Sequence, residues 1–444
     1  MSAQPQFSIE RRQHDPTLAP RHEAGHPKPL ARNAFRSLGL GLITGASDDD
    51  PSAIGTYAAA GAALGPSFLW TAPVTFPMMF AVVYLCSKLG QVTGRGLFAV
   101  IRENYSKWLL YFFLITAVVG NVIEAGADLG GMAAALNVIV PIPVSGMVVI
   151  LGVSVLSMQL WSYTLIRNVF RWLALALLAY IGAAILAKPE LLPVLKGTFV
   201  PTIHFTKEFF AMLVAVIGTT LSAYLYSWQS NQDVEEDIAQ GRRRLTDRMG
   251  TTEAELRHSR NDVAVGMLFS NLVMYFIILS TAATLFKAGK TDINTAADAA
   301  QALRPLAGNA AGLLFAAGVV GVGFLAVPVM TMGAAFDVCQ SFGWKHGLHA
   351  DPGEAKPFYA AVVVFTLLAI GLNFFGINPM KALVFAGLVQ GVSTPFLMLL
   401  VMLITNDRKI MGRWTNTRSM NALGWLTTAA MFAATIGLVV MFLK

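Results

Sequence analysis

Residues 45–55 read Gly45-Ala46-Ser47-Asp48-Asp49-Asp50-Pro51-Ser52-Ala53-Ile54-Gly55, placing consecutive carboxylates inside an otherwise apolar stretch that runs from 38 to 64. The flanks, 38–44 and 57–64, are apolar or small, so the whole has the character of one membrane span with an acidic centre. An ionised Asp facing lipid at mid-bilayer costs about 2.5–3.5 kcal/mol even on the lenient insertion scale, so a run of them would cost roughly 8–10 kcal/mol. They must face protein or a cavity. Pro51 lacks the helical N–H and pushes Asp50 out of the helical region, while Gly45 and Gly55 loosen either side, which predicts a helix break here. Backbone carbonyls freed at membrane depth persist only where they are buried in protein or line a cavity. Carboxylates beside such carbonyls make a cation site.

The rest of the chain agrees with a membrane setting. Of its 444 residues 55% are hydrophobic and 13% charged, which is too apolar for a soluble globular protein and predicts an all-α polytopic membrane protein. The net charge of +7 sits between apolar runs rather than on one face, so nucleic acid is not the expected partner; the lipid bilayer is. Cys86 and Cys339 lie in or beside apolar segments without metal-ligand spacing and read as packing residues. Residues 1–35, polar and carrying Arg11, Arg12, Arg21, Lys28 and Arg32, read as a mobile cytoplasmic tail without a signal-peptide core. After it, 36–444 reads as a single transmembrane domain.

Apolar runs at 67–90, 108–139, 143–161, 172–187, 209–228, 263–286, 310–342, 358–375, 383–404 and 423–443 follow the broken first span, giving about eleven spans. Residues 95–105 read as an interfacial segment, 188–208 as an outside loop with Pro189, Pro193 and Pro201, and 233–260 as a charged solvated connection. Lys and Arg concentrate after spans 2, 4, 6, 8 and 10, as in Arg167 and Arg171 or Arg242 to Arg260, which puts the amino terminus inside and the carboxyl terminus outside. The expected location is the cell inner (plasma) membrane. Span 6 carries Gly218-Thr219-Thr220-Leu221-Ser222-Ala223-Tyr224 at its centre, and hydroxyls of this kind satisfy a locally opened backbone. Spans 1 and 6 each begin a set of five, and because five is odd the second set enters from the opposite side. The result is an inverted repeat, about 36–187 against about 207–405, with an extra helix at about 421–443.

These residues carry a resemblance to the Nramp family of divalent-metal transporters, which implies a LeuT-type 5+5 inverted repeat with broken helices 1 and 6. The family's first-span Asp-Pro-Gly-Asn corresponds to Asp50-Pro51-Ser52-Ala53, and its sixth-span Met-Pro-His, followed by His-Ser, to Ser222-Ala223-Tyr224 and Gln229-Ser230 with Gly218 as anchor. Glu124 matches the third-span acid, Asn271 the seventh-span asparagine, and Pro395-Phe396 closes the tenth-span motif. The resemblance implies that Asp50 and the carbonyls of Ser47 and Thr219 hold a divalent cation, the transported substrate rather than a cofactor; no cofactor and no enzymatic activity are expected. It also shows departures, since Ser222 stands for the thioether and Ala53 for the amide. A thioether favours softer transition ions, so its loss removes a reason to exclude Mg²⁺, and shorter side chains suit an ion that keeps some of its water. In this the chain is similar to the Nramp-related magnesium transporters, and Mn²⁺ accepts the same oxygen ligands.

Other polar residues in the spans keep two readings. Asp49 is a further ligand, or is protonated or caps the inner half-helix, and Asp48 shares these roles. Gln390 in span 10 offers an amide oxygen across the cavity or makes an interhelical hydrogen bond. Glu124 and Asp128, four residues apart on one helix face, serve as an ion or proton relay or as an internal structural pair. Asp337, at the end of span 8, is expected near cytoplasmic water. Matching the family's relay histidine with Tyr224, and finding no arginine in 358–375, predicts weak proton coupling or none. The leading function is divalent-cation transport by alternating access. The alternative is a cation-coupled symporter of an amino acid or other small organic solute on the same fold, which the acidic run disfavours for carboxylated substrates. The sequence sets no oligomeric state.

Overall fold

A computed structural model describes residues 40–161 and 177–443. The tail at 1–35, the basic residues Arg167 and Arg171, and the first part of the expected fifth span lie outside the described residues. Among these residues the chain is helical with no strand. The main helices are α1 Leu40–Asp48, α2 Pro51–Leu64, α3 Thr71–Thr93, α4 Leu97–Asn104, α5 Lys107–Asn137, α6 Val144–Trp161, α7 Ala179–Leu186, α8 Leu191–Phe199, α9 Lys207–Thr220, α10 Ala223–Ala239, α11 Glu253–Thr281, α12 Ala311–Phe342, α13 Lys356–Leu372, α14 Pro379–Asn406 and α15 Arg418–Leu443, with shorter helical pieces between α11 and α12.

Eight of the described helical segments are long and apolar enough to cross a bilayer, and Val144–Leu160 is a shorter apolar helix. The first span escapes that length criterion because it is divided. Asp50 stops α1 and starts α2: its backbone is extended (φ −63°, ψ 172°), its carboxylate accepts from Ala53 N, and Pro51 occupies the first helical position, where no N–H is needed. The sixth span is divided between α9 and α10, with Leu221 (φ −127°, ψ 42°) and Ser222 (φ −60°, ψ 150°) outside helical geometry. Of the eight membrane-length segments, the one that contains both halves of span 6 has the most enclosed window. In that window 83% of residues are buried, against 28% for the segment containing α13 and 33% for α15. Leu367, Leu368, Leu426 and Ile436 on those outer helices are exposed, as a lipid-facing surface is.

Small residues set how closely the central helices approach. A Cβ on Gly218 of α9 would lie 1.9 Å from the Gly387 carbonyl oxygen and 2.2 Å from the Gly391 amide nitrogen of α14, so the two backbones touch through a Gly-x-x-x-Gly step. At Gly45 of α1 a Cβ would fall 2.2 Å from the Gly266 oxygen of α11, and at Gly61 of α2 2.4 Å from the Ile278 oxygen. These crossings hold both breaks against α11 and α14. Gly218→Ala is therefore expected to destabilise the fold by roughly 1–3 kcal/mol or more, as overpacking does. Gly371→Ala, whose Cβ meets nothing within 4 Å, is the matched control. Thermal unfolding of the two purified variants checks this, and equal melting temperatures would contradict the crossing.

Three expectations about connections are corrected. Residues 191–199, read as loop, form α8, because Pro193 falls in a first turn that needs no amide donor and Gly197 packs on the Pro66 carbonyl. The charged connection 233–260 shrinks to 240–252: α10 runs on to Ala239, and α11 begins at Glu253 behind a capping box in which Thr252 N donates to Glu255 Oε2 (2.8 Å) and Glu255 N to Thr252 Oγ1 (3.2 Å). Charged residues here extend helices beyond the apolar run rather than ending them. Asp337 is fully buried instead of facing water, because α12 continues past it to Phe342 and packs against α4 and α10.

Candidate functional site

The two breaks meet in the middle of the bundle, and the side chains around them are buried: Ser47, Asp48, Asp49, Asp50, Ser52, Ala53, Thr219, Ser222, Tyr224, Glu124, Asp128 and Gln390 all have 0% exposure. Asp50 is bonded on all sides. Ser52 Oγ donates to its Oδ1 at 2.6 Å, Ala53 N to the same oxygen at 2.7 Å, and Tyr224 OH to Oδ2 at 3.3 Å. Tyr224 OH also lies 3.1 Å from the Ser47 carbonyl oxygen, so a single phenol reaches both the carboxylate and the carbonyl freed at the end of α1. Ala53 supplies its amide; its methyl group has no donor to offer an ion.

The acids of α5 close the site from the other side. Asp128 Oδ1 accepts from Ser52 N at 2.8 Å, and Glu124 Oε1 accepts from Ser222 Oγ at 2.8 Å and from Ser52 Oγ at 3.3 Å. Gln390 Nε2 donates to Glu124 Oε2 at 2.8 Å while its Oε1 accepts from Ala223 N at 3.2 Å, so its amide ties α14 to the start of α10 and to α5. Ser222 Oγ is also 3.0 Å from the carbonyl oxygens of Gly218 and Thr219, and Thr219 Oγ1 is 3.5 Å from Ser52 Oγ. Tyr57 OH and Thr220 Oγ1, 2.9 Å apart, join α2 to α9 just beyond the break.

Asp48 and Asp49 form a separate pair. Ser270 Oγ of α11 lies 2.8 Å from Asp48 Oδ2 and 3.1 Å from Asp49 Oδ1, and one hydroxyl proton serves both. Asp48 Oδ1, Asp49 Oδ2 and Asp128 Oδ2 are buried without a hydrogen-bond partner. Carboxylates at the C-terminal end of α1 oppose the negative pole of that helix, so this pair calls for a proton or a cation. Asn271 does not join either group; its Nδ2 donates to Thr75 Oγ1 of α3 at 3.0 Å and faces the sulfurs of Met79 and Met274. Ser52 and Ser270 are the residues that sequence reasoning passed over. Ser52 follows the Asp-Pro step directly, whereas Ser270 carries no local signal because its role depends on α11 crossing α1 at Gly266. Among the described residues no three His, Cys, Asp or Glu side chains converge in metal-holding geometry. Oxygen donors here are carboxylate, hydroxyl and carbonyl in mixture, a set suited to hard cations.

Residues 41–441 match the family described as natural resistance-associated macrophage protein-like, Nramp, which is nearly the whole described chain. The chain belongs to the Nramp family. Among Nramp relatives it is 27% identical over 413 residues to the divalent metal cation transporter MntH of Deinococcus radiodurans, covering 90% of this chain and 89% of that one. A crystal structure of the Eremococcus coleocola manganese transporter, in complex with an aromatic bis-isothiourea compound, superposes with a TM-score of 0.69 at 17% identity, covering 93% of this chain and 88% of that one. Mhp1, a nucleobase-cation-symport-1 transporter in a closed conformation, superposes with a TM-score of 0.57 at 13% identity, covering 91% and 90%. The fold is thus shared with a transporter of the nucleobase-cation-symport-1 family as well.

Proposed function

We propose that this Nramp-family chain carries divalent metal cations across the cell inner (plasma) membrane, with Mg²⁺ and Mn²⁺ as favoured substrates, by alternating access around the two helix breaks. The observation that carries the reading is Asp50, fully buried between the breaks with the Ser47 carbonyl and the Ser222 and Ser52 hydroxyls in its network. In this reading Asp50 binds the ion together with the carbonyls of Ser47 and Thr219. Asp49 supplies a further oxygen from the Ser270 side, and Ser222 and Gln390 bound the site from α10 and α14. Relatives named for divalent metal and manganese transport support the substrate class. The domain is read as one inverted repeat, about 36–187 and about 207–405, followed by α15.

Uptake into proteoliposomes of Mn²⁺, Mg²⁺ and a panel of amino acids tests the reading. Saturable metal uptake without amino-acid uptake is expected. Amino-acid uptake driven by a cation gradient, with no metal flux, would replace it by the symporter alternative.

Ion choice has its own test. Ser222→Met with Ala53→Asn adds a thioether and an amide where a hydroxyl and a methyl now stand, and a methionine in place of Ser222 also displaces its contact with Glu124 Oε1. The double variant is expected to shift Mn²⁺ over Mg²⁺ competition by roughly tenfold, as a softer and narrower ligand set does. An unchanged competition ratio would count against this geometry.

A further inference from the structure

Away from the helix breaks, a cavity of about 410 Å³ opens where the ends of α3 and α11 meet the turn between α14 and α15, a volume in the range of small-ligand sites. Lys88 of α3, Arg257 and Arg260 of α11, and Arg413 beside Trp414 in the turn line it, with Glu253 as the acid among them. Lys88 is 5% exposed, and its Nζ donates at 2.7 Å to a neutral partner, Asn416 Oδ1. Among the described residues no carboxylate lies within ion-pair distance of Lys88, Arg257, Arg260 or Arg413. A nearly buried ammonium facing arginines across a concave surface lacks the counter-charge that such a group requires. Such a lysine is relieved by losing its proton or by taking an anion, and Arg257, Arg260 and Arg413 on the same walls favour the anion.

Its chemistry follows from the walls. Arginine forks match phosphate oxygens bidentately, and the Arg413 guanidinium is held 4.6 Å from the centre of the Trp414 ring, which fixes its plane. Tyr84 and Leu256 complete an amphipathic wall. Trp and Tyr gather at headgroup level, and basic pockets between span ends on the arginine-rich side of a membrane protein take lipid headgroups. We propose that this pocket is a phosphate-recognising site that holds the headgroup of an anionic phospholipid. An occupied site ties α3 and α11 to the α14–α15 turn, and so braces the helices that pack against the two breaks.

The test needs no transport. The full-length protein is reconstituted in nanodiscs of phosphatidylcholine alone, in phosphatidylcholine with phosphatidylglycerol, and in phosphatidylcholine with added inorganic phosphate, and retained lipid and melting temperature are measured. Wild type is expected to retain phosphatidylglycerol and to melt several degrees higher with it. Arg260→Gln and Arg413→Gln, both at exposed positions, are expected to weaken retention about fivefold each and about thirtyfold together. Stabilisation by inorganic phosphate that the double variant abolishes would keep the phosphate site but assign it to a soluble anion. Equal retention and equal stabilisation in wild type and the double variant, or no response to either anion, would overturn the proposal.

Discussion

Asp50→Asn is expected to reduce metal uptake in proteoliposomes to the protein-free background while leaving the fold intact. The two jobs of this side chain separate cleanly in that variant. As the N-cap of α2 it accepts from Ala53 N at 2.7 Å, and asparagine caps about as well as aspartate, so the helix start survives. As the carboxylate proposed to meet the ion it carries the charge, and removing one member of a buried charged contact costs about 2–5 kcal/mol, which is a loss of roughly thirtyfold to a few thousandfold in affinity. Asp50→Ala loses both and should in addition melt earlier, by the equivalent of about 1 kcal/mol for a lost cap. Asp48→Asn should do less, because its carboxylate is held by Ser270 on the far side of the break. Wild-type Mn²⁺ and Mg²⁺ uptake by Asp50→Asn would remove Asp50 from the site, whatever the alanine variant did.

The positions of the two helix breaks were readable because a few residues there admit few structures. Three acids and a proline inside an apolar run force a break, and the run of glycine and hydroxyl residues from Gly218 to Ser222 signals the second. The spacing of Glu124 and Asp128 places them on one helix face, and both bond into the first break through Ser52. What the sequence concealed is what depends on helices meeting. Ser270 reaches Asp48 and Asp49 because Gly45 and Gly266 let α1 and α11 touch, and neither glycine announces a partner. The Gly387-x-x-x-Gly391 step in α14 was a usable signal for the close crossing that brings Gln390 beside Glu124. Asn271 matched a family position, yet its rotation on α11 turns it toward Thr75. Asp337 and the helix at Leu191–Phe199 were misjudged for a common reason: a polar or proline-containing segment was assigned to solvent, although backbone satisfaction and packing decide such cases.

Metal uptake is expected to proceed with weak proton coupling or none, driven by the membrane potential. The resemblance sets Tyr224 against the family's relay histidine, and on that matching a phenol with a reference pKa of about 10 is a poor proton carrier near neutrality. Its one hydroxyl proton is shared between Asp50 Oδ2 and the Ser47 carbonyl oxygen, an arrangement that holds the carboxylate in place. A hydrogen-bonded path does lead from Asp50 through Ser52 to Glu124, but Glu124 is bonded onward to Ser222 and Gln390, neither of which titrates, and α13 contains no arginine to continue the path. Coupling is also unnecessary for accumulation. Two charges moving inward through 100 mV gain roughly 4.6 kcal/mol, which sustains about a thousandfold gradient of a divalent ion. In proteoliposomes holding a pH-sensitive dye, an imposed inside-negative potential of this size should drive Mn²⁺ or Mg²⁺ uptake with no matching acidification, and abolishing the potential should abolish most of the accumulation. Acidification in fixed ratio to metal entry would show that Glu124 and Asp128 pass a proton onward, and would reverse the prediction.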